Sequence, residues 1–135
     1  MLMLPVVRAG GDHALLVVAQ LADKDRPYVR VEFPLTPGGV SPADACCAGI
    51  SFDMRGEAVG RLLVQTFHVR NNDAYAAPFI PGAEWQTVKI PFTSLQRRAA
   101  NTGSWDGKDA RALLFELAGT AGSSVWLELD NVRFY

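Results

Sequence analysis

Apolar residues recur along this chain with a period of two, in short runs cut by glycine, proline, asparagine and aspartate. Tyr28-Val29-Arg30-Val31-Glu32-Phe33 shows the pattern most plainly: Val29, Val31 and Phe33 share one face, and Tyr28, Arg30 and Glu32 share the other. Successive strand side chains point to opposite faces, so this alternation predicts a strand with one dry and one wet side. Ile50 to Arg55 alternates in the same way and is expected to stop at Gly56. Leu62 to Val69 is β-prone up to the turn Asn71-Asn72-Asp73, and Ala112 to Ala118 sets Leu113, Phe115 and Leu117 against Leu114 and Glu116.

The remaining runs complete the outline. His13 to Leu21 holds the continuous apolar run Ala14 to Ala19, whose brevity and β-branched pair Val17-Val18 favour a strand. Trp85 to Phe92 puts Val88, Ile90 and Phe92 on one side, and its Pro91 predicts a strand end or edge. Trp85 itself is expected in core or sheet-end packing. Met1 to Val7 reads as an edge strand that tolerates Pro5. In the last run Val125, Leu127 and Leu129 share a parity that Val132 and Phe134 reverse, which predicts a bulge near Asp130-Asn131. Thr36 to Pro42 is loop by composition, with a single helical turn expected after Ser41, and Thr93 to Gln96 is a short turn. About eight strands and no amphipathic helix make a β-sandwich or barrel and leave no crossover helices for a parallel α/β fold.

Composition narrows the function classes. The 135 residues fit one domain, 49% hydrophobic and 20% charged, with a formal net charge of −1. No basic stripe exists for nucleic acid; Arg97-Arg98 is the only adjacent basic pair and is expected to be exposed. The apolar start is too short to span a bilayer and lacks the features of a secretory signal. That favours a cytoplasmic protein without membrane contact, or a piece excised from something longer. Cys46 and Cys47 are adjacent and have no third cysteine to pair with. Adjacent cysteines meet disulfide geometry with difficulty, so thiols and a reducing compartment are expected. His13 and His68 stand in no zinc-ligand spacing.

Three stretches, in order, carry a family resemblance. Gly49-Ile50-Ser51-Phe52-Asp53-Met54-Arg55-Gly56-Glu57, then Phe79 with Glu84-Trp85-Gln86-Thr87-Val88-Lys89-Ile90-Pro91-Phe92, then Leu127-Glu128-Leu129-Asp130-Asn131-Val132-Arg133-Phe134 resemble segments of the complex I intermediate-associated protein 30 family. The resemblance covers the chain from about Ala14 onward. It implies a galactose-binding-like fold: a jelly-roll β-sandwich of two antiparallel sheets, related to carbohydrate-binding modules. It also implies an accessory role, alone or attached to an enzyme domain. The family's first strands and a tryptophan-bearing loop are absent or shortened here. In related modules the closing-strand aspartate helps hold a structural calcium, and Asp130 stands at that position. A calcium needs six to eight oxygens, and the sequence reveals no partner set, so Asp130 is expected to bond to the backbone at the bulge and no cofactor is expected.

Catalysis has little to work with. Asp53, Glu57, Glu116, Glu128 and Asp130 could pair for glycoside hydrolysis, but strand alternation equally makes them solvent-facing. No G-x-S-x-G motif occurs, and neither Gly10-Gly11 nor Gly38-Gly39 has the spacing of a phosphate loop. A cysteine acting with His68 lacks a basic cluster to lower the thiol pKa. A non-catalytic module is therefore expected, binding a glycan or small polar ligand through aromatic platforms and convergent polar groups. The candidates are Tyr75, Trp105 and Trp126, with Gln65, His68 and Arg70 as polar partners. The alternative is a protein-interaction or assembly module docking on a partner enzyme through a sheet face.

Overall fold

The alternating runs become strands of two five-stranded antiparallel sheets in the computed structural model, which describes residues 1–8, 10–35, 47–69, 73–97 and 103–135. The strands are β1 (Leu2–Arg8), β2 (Asp12–Gln20), β3 (Tyr28–Pro34), β4 (Gly49–Glu57), β5 (Val59–Thr66), β6 (Tyr75–Phe79), β7 (Gln86–Pro91), β8 (Gln96–Arg97), β9 (Ala110–Ala118) and β10 (Ser124–Phe134). Sheet A has the order β1-β2-β10-β4-β7, and sheet B has β3-β9-β5-β6-β8. A single 3-10 turn at Phe92–Ser94 takes the place of the turn expected after Phe92. The helical turn expected after Ser41 lies outside the described residues. Among the described residues no helix is long and apolar enough to cross a membrane.

The sheets face each other across side chains of one parity. Phe52 of β4 meets Phe115 of β9 edge to face at 5.0 Å, and Phe115 also contacts Phe33 and Phe79 at 5.6 and 6.1 Å. Such T-shaped contacts pair the positive ring edge with the negative ring face. Val17, Leu62, Leu117, Leu127 and Leu129 fill the same core. The parity expected for β3 and β9 holds: Val29, Val31, Phe33, Leu113, Phe115 and Leu117 pack inward. Register slips between Asp130 and Arg133, where Asn131 has φ 51°, a left-handed conformation that asparagine adopts more readily than most residues. That bulge turns Val132 and Phe134 toward the core, as the sequence phase requires.

Several elements differ from the sequence reading. β4 passes through Gly56 because its ladder with β10 continues there; a Cβ at Gly56 would run into the Trp126 carbonyl. β5 starts at Val59 and ends at Thr66, leaving only Ala58 between strands of different sheets. β6, Tyr75-Ala76-Ala77-Pro78-Phe79, was not expected, since alanine and proline are weak strand formers. It forms because β5 and β8 both pair with it.

Phe115→Ala is expected to cost about 3–5 kcal/mol, measured by urea unfolding. A loss under about 1 kcal/mol would mean that the phenylalanine cluster does not hold the sheets together.

Candidate functional site

Because Phe115 points inward, its neighbour Glu116 must point out of sheet B, and there it meets two arginines from the flanking strands. Arg30 on β3 and Arg61 on β5 both stand opposite Glu116 in register. Arg30 Nε donates to Glu116 Oε2 at 2.8 Å, and Arg61 Nε donates to Oε1 at 3.0 Å, with a second Arg61 bond from Nη2 to the same oxygen. Tyr28 lies two residues along β3 with its ring 4.6 Å from the Arg30 guanidinium, and it is 51% exposed. Burial pushes the Glu116 carboxyl up, but the bonds and charges of Arg61 and Arg30 outweigh it together and hold the group below its ordinary value. The next row of this face runs Glu32, Leu114, Leu63, Ala76 and Gln96. Leu63, Leu114, Ala74 and Ala112 form an apolar cluster separate from the main core.

The expected ligand residues distribute over three places. Gln65 is half-buried on the outer face of sheet B, opposite Ala112. His68 is exposed at the end of β5, with Nδ1 3.1 Å from Asp109 Oδ2 and Nε2 3.4 Å from the Tyr75 hydroxyl. Tyr75 is not a loop platform: it begins β6 and packs into the core, leaving little but its hydroxyl side toward His68. Trp105 is a clearer correction. The residue is only 2% exposed, its ring packed edge to face with Phe92 at 4.6 Å and its Nε1 donating to the Lys108 carbonyl, so it offers no open platform to a ligand. Arg70 lies outside the described residues. Arg97 is half-buried and bonds to Asp73 at 3.2 Å, rather than standing exposed, and Arg98 lies outside the described residues.

Trp126 lies on the far side of the molecule, half-buried on the outer face of sheet A. Arg55 lies between it and Trp85, 6.0 and 5.5 Å from the two rings, and Arg8 covers Trp85 at 4.0 Å. Trp85 is thus half-buried just before the start of β7, the sheet-end alternative of the expectation and not the core one, its apolar ring shielded by guanidinium groups. Arg55 is held by Glu128. Arg8 bridges Asp53 at 2.7 Å and Asp130 at 3.0 Å, while Thr87 and Asn131 also donate to Asp53. Asp130 Oδ1 accepts the Asn131 backbone N–H at 2.8 Å, the local bond expected of it at the bulge. Arg8 thereby supplies the positive charge that this pair of carboxylates needs. No group of three or more metal-ligating side chains occurs among the described residues.

Cys47 is disulfide-bonded, which overturns the expected thiol and removes the argument drawn from it for a reducing compartment. A cleft of about 490 Å³ opens along the edge of the sandwich between β6 and β7, but Met54, Phe79, Val88 and Ile90 make it chiefly apolar. The Tyr28–Arg30–Glu116–Arg61 group is where an open aromatic ring and fixed polar groups meet on a strand framework. Sequence reasoning missed it because its aromatic candidates were Tyr75, Trp105 and Trp126 and did not include Tyr28. The available signal was Glu116 itself, a lone charge inside the apolar run Leu113 to Leu117, where a carboxylate requires partners.

No family model matches this chain, and no curated protein matches it. Solved structures match it over nearly its full length. The family 11 carbohydrate-binding module of the cellulosomal cellulase Lic26A-Cel5E of Clostridium thermocellum is 20% identical, with a TM-score of 0.73 over 98% of this chain and 79% of that one. A family 11 module from the same organism, in complex with a β-1,3-1,4-mixed-linked tetrasaccharide, is 19% identical with a TM-score of 0.72, covering 98% and 80%. The family 30 module of the cellulosomal cellulase Cel9D-Cel44B is 14% identical with a TM-score of 0.65, covering 98% and 81%. The fold is therefore the jelly-roll sandwich of carbohydrate-binding modules. Membership of the complex I intermediate-associated protein 30 family is not shown.

The sheet A cluster carries a pH signature. Burial raises the Asp53 pKa, but hydrogen bonds from Thr87, Arg8 and Asn131 outweigh it and hold the group at about 2, below its ordinary 3.8. A depressed carboxylate contributes stability that is complete above the ordinary value and lost as pH falls toward the folded one. The protein should therefore lose stability between about pH 4 and pH 2. Asp53→Asn should flatten that limb, with Glu116 supplying what slope remains, and should cost about 1–2 kcal/mol at neutral pH. Chemical denaturation across that pH range measures both, and an unchanged acid limb in the variant would refute the assignment.

Proposed function

We propose that this chain is a non-catalytic carbohydrate-binding module whose ligand lies on the outer face of sheet B. The supporting observation is the exposed Tyr28 ring beside guanidinium groups that Glu116 fixes across β3, β9 and β5. An aromatic face packs against the C–H side of a sugar ring while fixed donors take its oxygens, and donors already held in place lose little entropy on binding. Gln65, Gln96 and Glu32 stand on the same face as further polar partners. The likeness to modules that include one bound to a mixed-linked tetrasaccharide supports the same ligand class. The arginine-bound state of Asp53, Glu116 and Glu128 also favours binding over hydrolysis, since a general acid must be free to exchange its proton.

A docking module remains the second reading, favoured by one observation. β1 is apolar on both of its faces, and Leu2, Met3, Leu4 and Val7 are all exposed, Val7 to 74%. An apolar edge strand of this kind invites a partner.

Affinity electrophoresis against a panel of neutral and acidic soluble polysaccharides separates the readings. At least one polysaccharide should retard the protein, and Tyr28→Ala should weaken that binding about tenfold, equivalent to about 1.4 kcal/mol, while Trp126→Ala should not. Loss with Trp126→Ala alone would move the site to sheet A. Binding to none of the polysaccharides would refute the module.

A further inference from the structure

We propose that the glycan accepted by sheet B carries a carboxylate, a hexuronate residue, and that Arg30 and Arg61 receive it together. The inference rests on the sheet B reading above and names its ligand class. Glu116 is 5% exposed, and both of its oxygens are already engaged by the two arginines. What this row offers to a ligand is therefore the outer edges of two guanidinium groups, whose side chains are 28% and 35% exposed. Guanidinium nitrogens donate and cannot accept. A sugar hydroxyl bound there would have its oxygen satisfied, while its own proton would find no acceptor in this row and would turn to water. A carboxylate only accepts, and its two oxygens match the planar fork of an arginine.

The charge in the row agrees. Two cations surround one anion, and the anion is buried beneath them, so a ligand in the row meets the positive edges first. Among the described outward positions of sheet B the other carboxylate is Glu32, one row away on the edge strand β3. From there it can accept from the hydroxyls of a neighbouring sugar ring, as Gln65 and Gln96 can. Tyr28 has one side turned to the Arg30 guanidinium and is otherwise open to the ring that bears the acid. Glu116 is the positioning residue: it holds the two forks at a fixed spread but has no free oxygen to offer the ligand.

Isothermal titration of the whole chain tests this with three probes: oligogalacturonate, its methyl ester, and mixed-linked β-glucan oligosaccharides. The free acid should bind at least tenfold more tightly than the ester, and its affinity should fall as salt rises from about 50 to about 500 mM, as interactions of exposed charges do. Arg30→Gln and Arg61→Gln should each abolish the preference for the acid over the ester. Arg61→Lys, which keeps the charge without the fork, should retain part of it. Thermal melts of each variant separate lost binding from lost folding. Equal or tighter binding of the ester or the neutral glucan, sensitive to Tyr28→Ala, would overturn the acidic ligand and leave the module reading intact. Binding of none of the three probes, with other polysaccharides still bound, would also overturn it; binding of no polysaccharide at all would overturn both.

Discussion

The edge-to-face contact of Phe52 with Phe115 sets the phase of both sheets. A strand has two sides, and committing Phe115 to the interior commits Leu114 and Glu116 to the outside. The same commitment at Phe52 sends Ser51 and Asp53 outward on sheet A. Each outer face then carries a carboxylate in the middle of a sheet, where strands flank it on both sides and water reaches it poorly. Such a group requires cationic partners, and both faces meet the requirement with arginines: Arg30 and Arg61 from the strands flanking β9 on sheet B, and Arg8 on sheet A, which reaches Asp53 from the edge strand β1 past β2 and β10. The polar surface chemistry of the molecule follows from the aromatic contact at its centre.

The two faces use similar parts in different proportions. On sheet A the arginines lie over indole rings, and the carboxylates, Thr87 and Asn131 close a network around Asp53. Its donors and acceptors largely satisfy one another, which makes it a stabilising surface. On sheet B a single carboxylate is shared by two arginines, so donor capacity is left over and lies beside an open tyrosine ring. Binding needs such a remainder, because a fully satisfied network has nothing to exchange with a ligand.

Much of the architecture was legible in the residues. Alternation located β3, β4 and β9 with their inward sides, and the parity change after Leu129 located the bulge at Asn131, because core burial enforces a period of two. β6 escaped notice because a partner on each side, not its own residues, makes it a strand. The site was less legible. Trp105 and Tyr75 looked like loop aromatics but are packed, since sequence separation from the strands says nothing about which interior gap a ring will fill. Glu116 was placed on the correct side, yet its meaning depended on Arg30 and Arg61, which lie 86 and 55 residues away along the chain.

The join at Ala58 has a mechanical side. β4 belongs to sheet A and β5 to sheet B, and one residue separates them. A pull on a ligand anchored at Arg61 would run along β5 and across Ala58 into β4, which is paired on one side with β10 and on the other with β7. Slack is nearly absent at that corner, so tension would be shared by both sheets at once and taken up as shear across their ladders. A tethered polymer would thus load the interior of the sandwich, and the apolar outer strand β1, on the far side of β2, would carry little of that force.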